Sequence, residues 1–425
     1  MKGSGVEWIG EIPSDWNLVP AKRIFRNEKR IVGAAVDNYE RLALTMNGVI
    51  RRSKDDSEGL QPEKFEGYQI LRKNELVFKL IDLENVKTSR VGLSPYTGLV
   101  SPAYIVLTNM QEDNRFYYYW FMFMYYNEVF NHLGGDGVRS ALNARDLLVL
   151  PVPNIAKKQQ IRISNYLEAK CSKIDAVISR QQEAIKKLKA YKLSVITEAV
   201  TKGLNPDVPM KDSGYDFIGD IPASWNVCRL RNIGLPQNGI SKGGECFGHG
   251  FPFVSYGDVY KNYTLPKQVT GLVESSSEEQ EKYSVQQGDI FFTRTSETIE
   301  EVGFSCVCEE TIPNATFAGF LIRVRPFTAD LLIGFSKYYF RSNHHRLYLV
   351  KQMNLVTRAS LGQDLLKSMP VLIPPKEEQQ EITCYLDKKC DAIERAILHK
   401  QSVIDNLILY KKSLIYEVVT GKREV

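Results

Sequence analysis

Apolar residues recur with heptad spacing in two long stretches of the chain, residues 160–201 and 379–420. Within each stretch the spacing alternates between four and three, which is typical of a helix that packs along a second helix in a coiled coil. Prolines just before each stretch and Gly203 after the first favour helix boundaries at those places. The seam positions are Leu167, Cys171, Ile174, Ile178, Ile185, Leu188, Val195 and Ala199, then Leu386, Cys390, Ile393, Ile397, Ile404, Leu407, Leu414 and Val418.

The two seams are copies of each other, because residues 160–201 recur 219 positions later in the sequence. A shorter motif, Ile-Gly-(Glu/Asp)-Ile-Pro-x-x-Trp, is also present twice, at residues 9–16 and 218–225. A repeat of this extent predicts two copies of one unit related by a pseudo-two-fold axis. We therefore expect the seams to pack antiparallel within one chain, although pairing between two chains is an alternative. Polar residues interrupt both seams at matching places, Gln181 with Lys400 and Lys192 with Lys411.

Short apolar runs between Gly, Pro and Asn turns fill the two stretches outside the seams, and they are typical of strands. The clearest runs are Glu75–Phe78, Ala103–Leu107, Asp289–Phe292 and Phe320–Val324, with helical patterns over Arg115–Phe130 and Leu331–Arg346. The sequence therefore predicts an α+β fold, in which two similar globular domains are separated by two long helices packed as an antiparallel coiled coil. The predicted boundaries are 1–150 for the first globular domain, 151–205 for the central helix, 206–370 for the second globular domain and 371–425 for the distal helix.

Composition narrows the class of protein. The chain has 425 residues, of which 43% are hydrophobic, and this is enough for two cores. No apolar run approaches the roughly 18 residues of a membrane span, and the N-terminus lacks the apolar segment of a signal peptide. The seven cysteines follow no common zinc spacing. We expect them to be reduced and the protein to be cytoplasmic.

The positive charge is unevenly distributed. The net charge is only +5, but residues 155–203 hold eleven basic and four acidic residues, whereas residues 376–425 hold nine of each. A basic helix can face phosphate or an acidic partner protein, and it can equally be a solvated surface.

No catalytic motif is present in the sequence. A Walker loop, a G-x-S-x-G elbow and an H-E-x-x-H motif are all missing. His344 and His345 are adjacent in a stretch predicted as a surface helix, but they lack the further ligands of a metal site. The sequence favours a binding protein over an enzyme.

Clusters of basic and hydroxyl side chains on the globular domains are candidates for DNA contact. Arginine can read guanine with two hydrogen bonds, and hydroxyl groups hold phosphates. A solvated loop residue is the alternative reading for each of them. The candidates are Arg51, Arg52, Lys79, Arg90, Arg139 and Ser140 in the first domain, and Arg294, Thr295, Ser296, Lys351 and Arg358 in the second.

Four motifs together resemble the specificity (S) subunits of type I restriction–modification systems. They are the repeated Ile-Gly-(Glu/Asp)-Ile-Pro-x-x-Trp motif, Leu99–Tyr104, Gly288–Thr295 and the Pro-Pro-x-Glu-(Glu/Gln)-Gln start of the distal helix at Pro374–Gln380. The resemblance covers essentially the whole chain in the family's order. The start of the central helix, Pro153–Gln159, departs from the pattern because it lacks the acidic pair.

The resemblance implies a non-catalytic subunit. Each globular domain would read one half of a split double-stranded DNA sequence, and the helices would set the unread spacer. Two methyltransferase (M) subunits would dock on the helices, where the seam residues Leu167, Ile174, Ile178, Ile185, Leu188, Leu386, Ile393, Ile397, Ile404 and Leu407 lie, and a restriction/translocase (R) subunit would complete the complex. S-adenosylmethionine, ATP and Mg would be bound by those partners, and this chain would bind no cofactor.

Two alternatives come from other functional classes. A coiled-coil scaffold whose domains bind proteins, without reading DNA, would show the same seams. A self-sufficient DNA enzyme would need a catalytic constellation that the sequence does not offer.

Overall fold

A computed structural model describes the chain in nine segments, residues 1–45, 48–54, 56, 64–81, 90–109, 113–131, 141–296, 302–352 and 359–425. These residues divide into two compact units. Unit 1 comprises residues 1–182 and 401–425, and unit 2 comprises residues 183–400.

The described elements that precede and include the first long helix alternate short strands with few helices. Helix α3 supplies residues 157–182 to unit 1 and residues 183–202 to unit 2. In chain order they are β1 (Lys2–Gly3), β2 (Glu11–Ile12), β3 (Asn17–Pro20), β4 (Phe25–Arg26), β5 (Arg41–Thr45), β6 (Gly48–Arg52), β7 (Gln69–Leu71), β8 (Leu76–Phe78), β9 (Val91–Leu93), β10 (Gly98–Val100), β11 (Ile105–Asn109), α1 (Arg115–Tyr126), α2 (Ala144–Leu148), β12 (Pro151–Asn154) and α3 (Lys157–Lys202).

The remaining elements belong to unit 2 up to the middle of the second long helix, α10, which supplies residues 376–400 to unit 2 and residues 401–419 to unit 1. They are β13 (Met210–Asp212), β14 (Asp220–Pro222), β15 (Asn226–Arg229), α4 (Leu230–Ile233), β16 (Gly234–Asn238), β17 (Phe247–Val254), α5 (Tyr256–Lys261), β18 (Gly271–Val273), α6 (Ser277–Lys282), β19 (Ile290–Thr293), β20 (Thr295–Ser296), β21 (Ser305–Val307), β22 (Thr316–Phe317), β23 (Leu321–Pro326), α7 (Ile333–Tyr339), α8 (Asn343–Gln352), β24 (Ala359–Ser360), α9 (Gln363–Ser368), β25 (Pro370–Ile373) and α10 (Lys376–Val419).

The sheets differ between the two globular domains. The described part of the first domain has two four-stranded sheets with strand orders β6-β5-β10-β7 and β4-β11-β8-β9. The described part of the second has a four-stranded sheet, β16-β23-β19-β21, and a three-stranded sheet, β18-β17-β22. In both domains a further two-stranded pair leads into the long helix, β3 with β12 and β15 with β25.

A helix of large apolar side chains anchors the first domain to α3. Helix α1 buries Phe116, Trp120 and Phe123 in a core that includes Leu167 and Cys171 of α3. The predicted helix ends at Tyr126, and a separate helical turn follows at Val129–Asn131. Burial of this many aromatic rings, each worth roughly 1.5–3 kcal/mol, makes α1 the main contact between domain and helix.

The two long helices pack antiparallel in each unit, as the heptad seam predicts. In unit 1, Lys411 of α10 pairs with Asp175 of α3 at 2.7 Å, and Leu414 and Val418 share a core with Leu167. Positions that run forward along α3 thus meet positions that run backward along α10. The mixed α+β fold with two packed long helices is therefore confirmed.

Unit 2 shows the same arrangement with different residues. Lys192 of α3 pairs with Glu394 of α10, and Val195 and Ala199 share a core with Leu386 and Cys390. Each unit therefore contains its own part of the seam.

The stretch 331–346 is helical as predicted, but it forms two helices, α7 and α8, and not one. Arg341 lies between them, and its guanidinium donates to the backbone carbonyls of Ser305 at 2.5 Å and Asn262 at 2.7 Å. The first residue of α8, Asn343, donates its backbone N–H to the hydroxyl of Thr197 on α3 at 2.9 Å, which aims α8 in a new direction.

The prediction of a surface position for His344 and His345 was wrong. Both are buried, at 2% and 3% exposure, and both rings lie against Tyr339. Each Nδ1 contacts the hydroxyl of Ser342, at 2.8 and 3.2 Å. Burial holds the pKa of His345 at about 3 and lowers the pKa of His344 well below its ordinary value, so the pair is neutral near pH 7.

Candidate nucleic-acid interface

The β5–β6 hairpin of the first domain presents Arg51 to solvent. Its side chain is 60% exposed, pairs with Glu40 at 2.9 Å, and places its guanidinium 4.4 Å from the centre of the Tyr96 ring. A stacked and paired arginine is held in one orientation, which lowers the entropy lost when it binds a base or a phosphate. It lies at a cleft of about 520 Å³ lined by Asp37, Asn38, Tyr39, Glu40, Arg41, Arg51, Arg52, Ser53 and Lys54.

The other candidates of the first domain are placed differently. Arg52 pairs with Asp56 at 2.6 Å. Lys79 follows β8 and donates its backbone N–H to the carbonyl of Arg90 at 3.0 Å. Arg90 itself is only 3% exposed, and two of its guanidinium nitrogens have no partner among the described residues. The structure therefore places Arg90 in the interior, where DNA does not reach it without a rearrangement, and Arg51 is the most exposed of the three candidate arginines that the structure describes in this domain.

Arg294 occupies the turn between β19 and β20 in the second domain. Its backbone is held on both sides, since its N–H donates to Phe320 at 2.9 Å and its carbonyl accepts from Leu361 at 2.7 Å. Thr295 pairs with Ser360 across β20 and β24. The guanidinium of Arg294 has no partner among the described residues, and the residue is half-buried, so a rigid turn carries a partly exposed cation.

Phe320 was not a candidate from the sequence, where it was interpreted as part of a strand. The strand begins one residue later, and the ring of Phe320 is 64% exposed. Its carbonyl accepts from Arg294, and the preceding Gly319 donates to Ile240 at 2.7 Å, so the backbone that carries this ring is fixed. An aromatic ring held in water beside an arginine is a combination that stacks on nucleic-acid bases.

Other candidates have no described side chain. Ser296 lies in β20 and Lys351 in α8, while Arg139, Ser140 and Arg358 lie outside the described residues. Their roles stay predictions.

The predicted seam positions lie on the inner faces of the two helices within each unit. Five are buried, namely Leu167, Ile174, Leu386, Ile393 and Ile404. The other five are half-buried, namely Ile178, Ile185, Leu188, Ile397 and Leu407.

The polar interruptions of the seam form ion pairs at matching places. Lys411 pairs with Asp175 in unit 1 and Lys192 pairs with Glu394 in unit 2, and each residue of one pair is the repeat counterpart of a residue in the other. Burial is the largest single influence on Lys192 and opposes its charge, but the hydrogen bond to Glu394 and the neighbouring charges together outweigh burial and raise the pKa of Lys192. A pair that is correct in only one alignment of the helices stabilises that register.

A second pair of matching contacts joins each globular domain to a long helix. Arg115 at the start of α1 contacts Glu168 of α3 at 2.6 Å, and Lys337 of α7 contacts Asp387 of α10 at 2.8 Å. Glu168 and Asp387 are repeat counterparts. The duplicated helices thus hold their domains through equivalent charges, although the domains differ.

The repeated Ile-Gly-(Glu/Asp)-Ile-Pro-x-x-Trp motif docks on the C-terminal end of a long helix in each unit. In unit 2, a Cβ at Gly203 after α3 would lie 3.6 Å from Trp225, and in unit 1 a Cβ at Gly421 after α10 would lie 3.3 Å from Trp16. Both glycines have positive φ, +75° and +70°, and they end their helices in the left-handed conformation that favours glycine.

The two docked motifs differ in one hydrogen bond. Trp225 donates its indole N–H to Glu378 at 2.8 Å. Gln159 is the counterpart of Glu378, and the indole nitrogen of Trp16 is buried with no partner among the described residues. The departure of the first helix start from the family pattern therefore replaces a carboxylate acceptor with a neutral amide.

The described residues offer no obvious chemistry of their own. They contain no group of three or more His, Cys, Asp or Glu side chains that could hold a metal ion. The seven cysteines are all unpaired thiols. Within the same residues, no helix is both long and apolar enough to cross a membrane.

Comparison with known proteins shows which family part of this chain resembles. Residues 222–400 match the family model of the type I restriction modification DNA specificity domain. Over 294 residues the chain is 25% identical to the type I restriction enzyme EcoKI specificity subunit of Escherichia coli (strain K12), a match that spans 67% of this chain and 60% of that relative.

The fold extends the similarity over nearly the whole chain. A chain from a structure describing complex assembly and conformational transition of the type I R-M system superposes with a TM-score of 0.68 at 16% identity, covering 97% of this chain and 100% of that chain. The family match, the related subunit and the shared fold agree with the four sequence motifs. The chain is therefore similar to type I restriction–modification specificity subunits, through the family model over residues 222–400 and through the fold over nearly the whole chain.

Proposed function

We propose that the two globular domains each read one half of a split, asymmetric sequence in double-stranded DNA. The observation that carries the proposal is the fixed turn of Arg294, a half-buried arginine whose backbone is hydrogen-bonded to that of Phe320, the residue with the exposed ring. Arginine forks fit guanine edges and phosphates, and aromatic rings stack on bases. In the first domain, Arg51 and the Tyr96 ring that it stacks on form a comparable pair of an arginine and an aromatic side chain.

Asymmetry of the DNA site follows from the asymmetry of the two domains. The duplicated helices keep equivalent ion pairs, but the counterpart of Arg294 in the first domain is Leu80, since Asn74–Phe78 aligns with Gly288–Phe292. Two unlike surfaces on a duplicated frame recognise two unlike half-sites, which is how one chain reads a non-palindromic sequence.

The long helices are proposed to dock two methyltransferase subunits, with a restriction subunit completing the complex. Support comes from apolar side chains that the described helices leave in solvent: Tyr191 at 53% exposure in unit 2, and Leu409 and Tyr410 at 62% and 49% in unit 1. Exposed apolar residues on a helix are typical of a protein interface. The adenosylmethionine, ATP and Mg chemistry would belong to those partners, and the target adenine would be flipped into the methyltransferase.

The proposal is tested by mapping methylated adenines across the host genome with and without this gene. We expect the loss of one split motif with a constant spacer, because a single chain sets both half-sites. If no motif is lost, the purified chain is titrated onto genomic DNA fragments at increasing salt.

Salt dependence then separates the two functional classes. Affinity that falls steeply with salt indicates phosphate contacts and supports DNA reading. Absence of DNA binding, or binding that salt does not change, supports the protein-binding scaffold instead.

A further inference from the structure

The last residues of the chain fold back onto the long helices in unit 1. The backbone N–H of Arg423 donates to the carbonyl of Glu417 at 3.0 Å, and its guanidinium lies 3.6 Å from the Glu417 carboxylate. Tyr166, Tyr410 and Glu417 surround this guanidinium and together raise the pKa of Arg423. An arginine is thus paired with one carboxylate beside two tyrosines.

The repeat places the same three acceptors in unit 2. Tyr385, Tyr191 and Glu198 are the counterparts of Tyr166, Tyr410 and Glu417, each displaced by 219 positions. The counterpart of Arg423 is Leu204, which has no group to donate to these oxygens.

In unit 2, Glu198, Tyr385 and Leu204 line an open cleft of about 460 Å³. Its lining includes Glu198 and Tyr385 together with Val195, Ala199, Lys202, Gly203, Leu204 and Pro206. Lys202 is committed elsewhere, since its ammonium donates to the carbonyl of Asp220. Among the described residues no cation forms an ion pair with Glu198, and Tyr191 is 53% exposed, so the acceptors face solvent.

We propose that this cleft binds an arginine side chain presented by a partner protein. The guanidinium has five N–H donors in one plane, which suits a carboxylate flanked by phenol oxygens, whereas a lysine ammonium is a compact donor without that reach. The arrangement around Arg423 in unit 1 is the direct precedent for this chemistry.

The two units would then differ in what they offer to a partner protein. A partner that approaches unit 1 meets an arginine already seated, and a partner that approaches unit 2 meets its acceptors. Two copies of one partner would therefore dock with different strengths. The proposal concerns protein binding and does not depend on the DNA-reading function.

The test uses a labelled peptide with the sequence of the chain's own tail, Val419–Val425, titrated onto the full-length chain by fluorescence anisotropy. We expect saturable binding of one peptide per chain. Glu198→Gln should weaken binding roughly tenfold, the range for a hydrogen bond to a charged group, as should replacing the peptide's arginine with glutamine. Glu417→Gln is the matched control in the other unit and should stay within about twofold of the wild type.

A second variant gives a result that misfolding could not produce, because it should gain a binding site. A chain that ends at Lys422 lacks Arg423 and should bind two peptides, because both sites are then open; thermal melts should match the wild type. The proposal is overturned if Glu198→Gln and Glu417→Gln bind alike, if the shortened chain still binds one peptide, or if binding does not saturate. DNA binding by the same preparations is measured in parallel, so that intact DNA binding without peptide binding rejects this inference alone.

Discussion

Arg294 and Phe320 share a backbone hydrogen bond, but they would contribute to DNA binding in different ways. Phe320→Ala should weaken binding roughly tenfold, since stacking is worth about 1–3 kcal/mol per base, and should leave the salt dependence unchanged. Arg294→Ala should weaken binding and lower the slope of affinity against salt by about one if it contacts phosphate. Phe327 is a matched control, because it is 61% exposed just beyond the other end of β23.

Quantitative binding at three salt concentrations distinguishes these effects. Equal losses for Phe320→Ala and Phe327→Ala would remove Phe320 from the interface. An Arg294→Ala variant with the wild-type affinity and motif would remove Arg294.

The buried indole of Trp16 leads to a prediction about stability. Gln159→Glu places a carboxylate where Glu378 accepts from Trp225 in the other unit, so it should raise the free energy of unfolding by about 1 kcal/mol. A negative charge in the first turn of α3 also favours the helix. Glu378→Gln should lower the free energy of unfolding by a similar amount. Urea denaturation measures both, and a destabilised Gln159→Glu variant would show that Trp16 is satisfied in another way.

Residue type alone could not rank the candidate DNA contacts. Arg51 and Arg90 are both arginines in polar stretches of the first domain, yet one is exposed on a hairpin and the other is buried. The exposure of a side chain depends on which distant segments of the domain pack against it, and the local sequence pattern does not contain that information. Phe320 was missed for the opposite reason, because an aromatic residue at the start of an apolar run is usually a core residue.

At the scale of elements, the long helices could be predicted closely because their apolar period persists over many turns and prolines mark their beginnings. The helices predicted at 160–201 and 379–420 extend over Lys157–Lys202 and Lys376–Val419. The break between α7 and α8 could not be predicted, since it depends on carbonyls distant in sequence that accept from Arg341.

The histidine pair of α8 predicts a pH dependence. His345 has a folded pKa of about 3 and an ordinary pKa near 6.5, so the unfolded chain binds its proton first as the pH falls. Its stabilising contribution is complete above pH 6.5 and is lost as the pH falls toward 3. Each such histidine steepens the loss of stability by about 1.4 kcal/mol per pH unit.

His345→Gln should therefore have a shallower acid limb than the wild type between pH 6 and 4. His249→Gln is the control, because the side chain of His249 is 61% exposed and should leave the slope unchanged. Denaturant unfolding at several pH values measures the slopes, and parallel curves for all three proteins would contradict the prediction.

At the scale of the whole molecule, a duplicated frame carries two domains that have diverged. The frame is recognisable in the sequence because helices, ion pairs and docking motifs constrain residue type at each turn. The domain surfaces could diverge because surface residues are not constrained by packing against other residues of the chain. The bases that the proposed readers select would depend on loop geometry and DNA shape, which no residue list contains.

Exchange of residues 17–150 for the corresponding domain of a related specificity subunit tests this modularity. We expect only one half of the recognised sequence to change, because the frame that carries the other domain is untouched. Methylation mapping in a host that supplies the methyltransferase reads out both halves together. A change in both halves would mean that the domains are not independent readers.

The division of the chain into units also determines the order in which it folds on the ribosome. Unit 2 is one continuous segment, whereas unit 1 needs residues 401–425 in addition to residues 1–182. At about 5–20 residues per second, the first domain waits roughly ten to forty-five seconds for the second strand of its coiled coil while residues 183–400 are synthesised. During that interval the face of α3 that will receive Leu414 and Val418 is uncovered, and nascent chains that stall there become substrates for chaperones or proteases.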